Sequence, residues 1–284
     1  MTATSDHTDD RADPRHDDLS DFEGRTYTFD AVARTVYVAG AGPAVVVLPE
    51  MPGISPDVAR FARWVRDAGF TVYVPSLFGV DGAYPRADAG LEVMRRACVS
   101  AEFRAFAAGP PASAESWLRR LARSAHAECG GPGVGAVGMC FTGNFALSMT
   151  LTDAVIAPVV CQPSLPLDDP AGVAMTGEEL AAVAHRMARD DLDVIAFRFA
   201  GDRYCTAARF AAYRRALGDR FRETVLADES ARRDPPEFFA DVVGGPHSVV
   251  TAHLVDEEGH PTIAARDAII DFLRRRLTGA AEIP

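Results

Sequence analysis

The sequence contains no lysine, since all 29 of its basic residues are arginine. Schiff-base chemistry and Walker-type phosphate binding are therefore excluded, because both need the ε-amine of a lysine. Acidic residues outnumber the basic ones, and the formal net charge is −11. Without a surplus of cations, we expect neither nucleic acid nor a membrane surface as a partner.

Cysteine is also scarce, and its five occurrences are scattered without a Cys-x-x-Cys spacing. The sequence therefore predicts neither a disulfide framework nor a zinc site, and we expect no metal and no other cofactor. The polar N-terminal stretch lacks the apolar core of a signal peptide, and no apolar run approaches the length of a membrane span. These absences predict reduced thiols and a cytoplasmic protein.

Composition and pattern predict two regions. Residues 1–20 are polar and rich in charge, which is typical of a disordered acidic tail. Residues 21–284 are predicted to form a single α/β domain, because buried strands and helices alternate in a mainly parallel, doubly wound sheet flanked by helices. Residues 222–246 are predicted to be an insertion or loop. Residues 248–255 are predicted to form the last strand.

The stretch from Val134 to Leu147 carries the strongest chemical signal. It combines a short apolar strand, a tight turn with Cys140 at its tip, and the start of a helix. Glycines at 138 and 143 let a strand turn sharply into a helix and expose the side chain at the tip. Cys140 is therefore a candidate nucleophile, although a small buried cysteine is the common alternative.

Polar residues follow four of the predicted strands at the point where each strand ends: Glu50, Cys140, Asp202 and His260. Ligands bind beyond the carboxyl ends of strands in open α/β sheets, so these side chains are expected to meet. The chain order of nucleophile, acid and histidine is that of the α/β-hydrolases. His247 competes with His260, but the predicted last strand begins directly after it, which would leave His247 at the wrong end of the sheet.

Four segments together resemble the dienelactone hydrolase family of the α/β-hydrolase superfamily, and the similarity runs from about Arg25 to Leu277. The segments are Glu50–Gly53, the turn Gly138–Gly143, Gly201–Asp202 and Glu257–His260. The resemblance implies an α/β-hydrolase fold and a hydrolase that cleaves a small-molecule lactone or carboxylic ester.

The resemblance also implies roles for particular residues. Cys140 would be the nucleophile, His260 the base and Asp202 the acid of a catalytic triad that works through a thioester. Glu50 would pair with the resting thiol and keep it neutral, because a carboxylate beside a thiol disfavours the thiolate.

An oxyanion hole is expected from the backbone N–H groups of Phe141 and Met51. The first follows the nucleophile, and the second lies in the loop after an early strand.

The sequence departs from the family pattern at two places. Thr142 stands where the family usually has a second glycine, and we expect it to crowd the turn. The family arginines that hold a substrate carboxylate are not cleanly matched, because Arg96 falls near one position while Ala264 and then Arg266 occupy the region of the other. Arg96 is the predicted substrate-binding residue.

Two alternatives remain open from the sequence. One is a catalytically idle α/β-hydrolase scaffold that binds a small ligand, since fold does not imply activity. The other is a glutamine amidotransferase-like cysteine enzyme, which shares the histidine followed by proline but needs a glutamate where Thr262 stands. In each case we expect a monomer or a small homo-oligomer.

Overall fold

The structure, a computed structural model, describes residues 15–99, 114–169 and 171–279. Its strands are β1 Glu23–Phe29, β2 Val32–Gly40, β3 Ala44–Leu48, β4 Thr71–Pro75, β5 Val134–Met139, β6 Val155–Cys161, β7 Val194–Phe199 and β8 Phe221–Leu226. Its helices are α1 Pro56–Asp67, α2 Ala87–Val99, α3 Ala114–Cys129, α4 Gly143–Ser148, α5 Gly177–Arg189, α6 Ala207–Leu217 and α7 Pro261–Thr278. Among these described helices, none combines the length and apolar character needed to cross a bilayer.

The eight strands form one sheet in the order β1-β2-β4-β3-β5-β6-β7-β8. Strands β1 and β2 pair antiparallel, and β2 is antiparallel to β4. The strands from β4 to β8 in this order run parallel to their neighbours. The prediction of a mainly parallel sheet is confirmed, and the carboxyl ends of its parallel strands meet at one edge of the sheet.

Strand β3 shows why the sheet is covered on both faces. All five of its residues are buried, and successive side chains point to opposite faces. Val45 and Val47 belong to the core beneath α1 and α7, whereas Val46 and Leu48 belong to the core beneath α3 and α4. A continuous apolar run is what a strand between two helical layers requires.

The prediction of the last strand is wrong. Residues 248–255 form turns and irregular structure, while strand β8 lies at 221–226, inside the segment predicted to be a loop. Strand β8 is an edge strand whose four central residues are exposed, so it has no apolar run to mark it. The stretch 248–255 is apolar because Val249, Val250 and Leu254 are buried in the core.

The predicted N-terminal tail lies partly outside the described residues, which begin at residue 15. Within the described part, Leu19 and Phe22 are buried in the core cluster beside α1. Arg63 of α1 forms ion pairs with Asp17 and Asp21, each at 2.6 Å. Residues 15–22 are therefore packed onto the domain.

Candidate active site

Cys140 lies at the tip of a sharp turn between β5 and α4. Its φ angle is 54°, in the left-handed region that residues with a Cβ atom rarely adopt. The turn is also tight and requires glycine at position 138. A Cβ atom on Gly138 would lie only 2.3 Å from the carbonyl oxygen of Thr142. A cysteine held in this strained conformation, above the carboxyl edge of the sheet, has the geometry of a nucleophile elbow.

Thr142, which was expected to crowd the turn, braces it instead. Its side chain is completely buried, and its Oγ1 accepts a hydrogen bond from the Met139 N–H at 3.1 Å. The same hydroxyl lies 3.0 Å from the Met139 carbonyl oxygen and 3.2 Å from that of Leu48. Because Leu48 ends β3, the threonine ties the elbow to the neighbouring strand.

Asp202 follows β7 and is almost completely buried. Its Oδ1 accepts hydrogen bonds from the N–H groups of Tyr204 and Cys205, at 2.9 and 3.0 Å. Its Oδ2 lies 2.7 Å from Nδ1 of His247. Burial alone would raise the pKa of Asp202, but the charge of His247 and these hydrogen bonds outweigh it and hold the pKa below its usual value.

His247 is the histidine that the structure brings to Asp202 and Cys140. Burial by itself lowers the pKa of His247, but the charges of Asp202 and Cys140 raise it well above its usual value. The bond to Asp202 occupies Nδ1, so Nε2 is the nitrogen that remains for Cys140. Nε2 is buried and has no hydrogen-bond partner of ordinary geometry among the described residues, although Cys140 lies near enough to raise the pKa of the imidazole. Contacts of this kind often tighten only as a reaction proceeds.

His260 does not join this group, and the sequence assignment needs correction. The residue caps the N-terminus of α7, where its Nδ1 lies 2.9 Å from Oγ1 of Thr262. It lines a separate surface cavity rather than the cleft beside Cys140. The error follows from the misplaced last strand. With β8 at 221–226, His247 is the histidine that follows the last strand.

The thiol of Cys140 has its own polar neighbour, Ser164. The Sγ and Oγ atoms of the two residues are 3.5 Å apart, and the Ser164 N–H donates to the Cys140 carbonyl oxygen at 3.0 Å. Ser164 is 3% exposed and lies in the loop after β6. Sequence reasoning missed this residue, because a serine after a proline in a loop carries no chemical signal by itself.

Glu50, predicted to pair with the thiol, is hydrogen-bonded elsewhere. The residue follows β3 and is completely buried. Ser248 donates its hydroxyl proton to Oε2 at 2.5 Å, and Thr251 donates to Oε1. Gln162 contributes a longer contact of 3.5 Å. Burial raises the pKa of Glu50 to about 7, although the hydrogen bonds from Ser248 and Thr251 lower it. The carboxyl group therefore fastens the loop that directly follows His247.

A cleft opens above Cys140 and His247, and its walls are apolar. Met51 and Phe141, the residues predicted for the oxyanion hole, both line it beside Cys140. The remaining apolar walls come from α2, from the loop after β6 and from a π-helical turn at 238–243.

Arg96, predicted to bind substrate, does not line this cleft. Its side chain is 78% exposed on α2 and pairs with Glu92 at 2.7 Å. The structure therefore separates it from Cys140, and its exposed ion pair is an ordinary contact of a helix surface.

The sequence matches the model of the Dienelactone hydrolase family over residues 29–176, more than half of the chain. No curated protein matches it. Three solved structures illustrate the likeness in fold. A dienelactone hydrolase-like promiscuous phosphotriesterase, P91, from metagenomic libraries is 17% identical, with a TM-score of 0.59 over 90% of this chain and 98% of that one. Dienelactone hydrolase from Anabaena variabilis is 14% identical, with a TM-score of 0.57 over 90% and 98%. A cold-adapted esterase from an Arctic intertidal metagenomic library is 14% identical, with a TM-score of 0.53 over 89% and 92%.

At these identities the solved structures show a shared fold, and the family match over residues 29–176 carries the assignment. The fold, the elbow and the order of the strands agree with it. The chain therefore belongs to the dienelactone hydrolase family of the α/β-hydrolase superfamily and is a carboxylic ester hydrolase.

Proposed function

We propose that this protein hydrolyses a carboxylic ester or lactone through a triad of Cys140, His247 and Asp202. The observation that carries the proposal is the buried contact of 2.7 Å between Asp202 and His247, in the wall of the cleft that holds Cys140 at the tip of its strained turn. A nucleophile, a base and a group that orients the base are the three parts that such a mechanism needs.

In the first half-reaction, Nε2 of His247 takes the proton of the Cys140 thiol as Sγ bonds to the carbonyl carbon of the substrate. The carbonyl electron pair moves onto oxygen and returns as the bond to the alcohol oxygen breaks. The imidazolium gives its proton to the departing alkoxide, and a thioester remains. Asp202 accepts the hydrogen bond of Nδ1, which fixes the tautomer and stabilises the imidazolium.

In the second half-reaction, His247 takes a proton from water, and the hydroxide attacks the thioester carbon. The bond from carbon to Sγ breaks, and the proton returns to the sulfur, so the acid product leaves and the resting thiol is restored. For a lactone the alcohol and acid belong to one product molecule.

The negative oxygen of each tetrahedral intermediate needs hydrogen-bond donors, and we assign the backbone N–H groups of Phe141 and Met51. Support comes from their position in the wall of the cleft, one directly after Cys140 and the other directly after Glu50. Backbone donors that are already in place stabilise developing charge without reorganising.

Glu50 serves this mechanism by holding the loop of His247. The loop after His247 has no regular structure, so the position of the imidazole depends on side-chain contacts. Glu50 supplies two of them through Ser248 and Thr251. His253 supplies another, because its Nδ1 accepts from the Ser248 N–H at 3.2 Å. Burial keeps the pKa of His253 near 3, which preserves this acceptor.

The test compares the variants Cys140→Ala, His247→Ala and His260→Ala for hydrolysis of p-nitrophenyl butyrate. The first two should lower kcat by several orders of magnitude, roughly as deletion of a triad member does. His260→Ala is the matched control and should keep wild-type turnover. An acyl group on Cys140, detected by mass spectrometry after rapid acid quenching, would support the thioester.

Turnover that survives in His247→Ala but disappears in His260→Ala would overturn the assignment of the base. A wild-type protein without activity on esters and lactones would favour the alternative of an idle scaffold that binds a small ligand.

A further inference from the structure

We infer that the substrate group seated in the cleft is uncharged and apolar, so that neutral esters are selected over esters that carry a carboxylate. The inference rests on the proposed function and specifies its substrate class. It is carried by the walls of the cleft and by the positions of the nearest cations.

Three separate elements contribute apolar side chains to the walls above Cys140, which also include the hydroxyl-bearing residues Ser164 and Tyr204. Met94 comes from α2 and Leu167 from the loop after β6. Phe238 and Val242 come from the π-helical turn. A mainly apolar lining favours a hydrocarbon group of the substrate, because its burial removes apolar surface from water.

The arginines near the cleft donate hydrogen bonds to other groups of the protein. Arg203 is exposed and donates to the carbonyl oxygen of Val242 at 3.0 Å and to the hydroxyl of Tyr204 at 3.2 Å. Arg209 is completely buried and donates to five backbone carbonyl oxygens. Arg96 lies on the surface of α2. Among the residues that the structure describes, no arginine lines the cleft.

The titratable groups in the wall do not offer a substitute for a cation. His247 already faces the carboxylate of Asp202, so the pair carries one negative charge when the imidazole is neutral and no net charge when it is protonated. Cys140 adds negative charge whenever it ionises. A substrate carboxylate placed here would lose hydration without meeting a cation in the described lining, whereas an isopropyl group of the same shape has no such hydration to lose.

Two pairs of matched substrates test the inference at pH 7.5, with acid release followed by pH-stat titration. Methyl 4-methylpentanoate carries an isopropyl group at the end of its acyl chain, and monomethyl succinate carries a carboxylate at the same position. The second pair, 3-methylbutyl acetate and 3-acetoxypropanoate, differs in the same way on the alcohol side. We expect kcat/KM to favour the neutral member at least about 100-fold in one pair or both.

A designed cation provides the second measurement. Leu167 lies at the rim of the cleft with 39% exposure, so Leu167→Arg can place a guanidinium there without burying it. Val225→Arg is the matched control, since Val225 is 43% exposed on the edge strand β8. Leu167→Arg should lower the ratio of kcat/KM for the neutral ester to kcat/KM for the carboxylate ester about tenfold or more. Val225→Arg should leave this ratio unchanged.

Equal rates for both members of each pair, or faster hydrolysis of the carboxylates, would overturn the inference while leaving the hydrolase intact. An unchanged ratio in Leu167→Arg would also count against it. A wild type that cleaved p-nitrophenyl butyrate but neither neutral ester would overturn the inference alone, whereas inactivity on all five esters would refute the proposed function as well.

Discussion

Replacing Glu50 by glutamine removes a buried carboxyl group whose ionisation destabilises the folded protein. Burial raises the pKa of Glu50 from 4.5 to about 7, and this outweighs the hydrogen bonds of Ser248 and Thr251 that lower it. An acid with a raised pKa binds its proton more tightly in the folded protein. Below pH 4.5 the carboxyl group is protonated in both the folded and the unfolded protein, and its full contribution to the free energy of unfolding is present. That contribution is lost as the pH rises from 4.5 through about 7. The change in pKa corresponds to a loss of roughly 3 kcal/mol over that range.

Glutamine has nearly the same shape and cannot ionise, so Glu50→Gln should remove this loss. We expect the free energy of unfolding of the variant, relative to wild type, to rise by about 3 kcal/mol between pH 4.5 and 7.5. Urea unfolding followed by tryptophan fluorescence at a series of pH values measures it. Glu115→Gln is the matched control, because Glu115 of α3 is 5% exposed and burial also raises its pKa to about 7.

Activity separates the two variants. Glu50→Gln weakens the anchor of the His247 loop and should lower kcat about ten- to a hundredfold, as small displacements of catalytic groups do. Glu115→Gln should keep the wild-type kcat, although its stability changes with pH in the same direction. A wild-type kcat in Glu50→Gln would refute the anchoring role. A stability difference that did not vary with pH would refute the argument from the buried carboxylate.

Three further predictions follow from the buried contacts. Thr142→Val leaves the Met139 N–H without its side-chain acceptor and should lower the free energy of urea unfolding by about 1–3 kcal/mol, whereas Thr142→Ser should stay near wild type. Arg209→Met leaves five carbonyl oxygens without their donor and should cost about 3 kcal/mol or more, measured by the same unfolding. Asp202→Asn should lower kcat for p-nitrophenyl butyrate about 10,000-fold, because the amide cannot hold the His247 imidazolium; a loss below tenfold would contradict that role.

The central part of the fold could be predicted from the sequence, because it is buried on both faces. Strand β3 shows an uninterrupted apolar run, and the sequence therefore identifies it. Strand β8 could not be found in the same way. It lies at the edge of the sheet with four exposed central residues, and edge strands carry charged residues that resemble a loop. The loop at 248–255 was predicted as a strand because many of its residues are apolar and buried, although it has no strand structure.

The candidate site shows the same division. Cys140 and Asp202 follow strands that the sequence identifies, and the structure brings both to the carboxyl edge. The choice between His247 and His260 depended on where the last strand lies, and that strand was the weakest signal in the chain. A single misplaced element therefore moved the histidine by thirteen residues, although the chain order of nucleophile, acid and histidine was retained.

The position of the three proposed catalytic side chains depends on contacts outside them. Thr142 ties the elbow to β3, and Ser164 donates its N–H to the Cys140 carbonyl oxygen. Glu50 holds the loop of His247 through Ser248 and Thr251. A strained φ at Cys140 persists only when its surroundings determine it, and the contacts of the buried residues Thr142 and Ser164 do so. Because each joins residues from different elements, a motif around Cys140 predicts the nucleophile but not the contacts that hold its partner in reach.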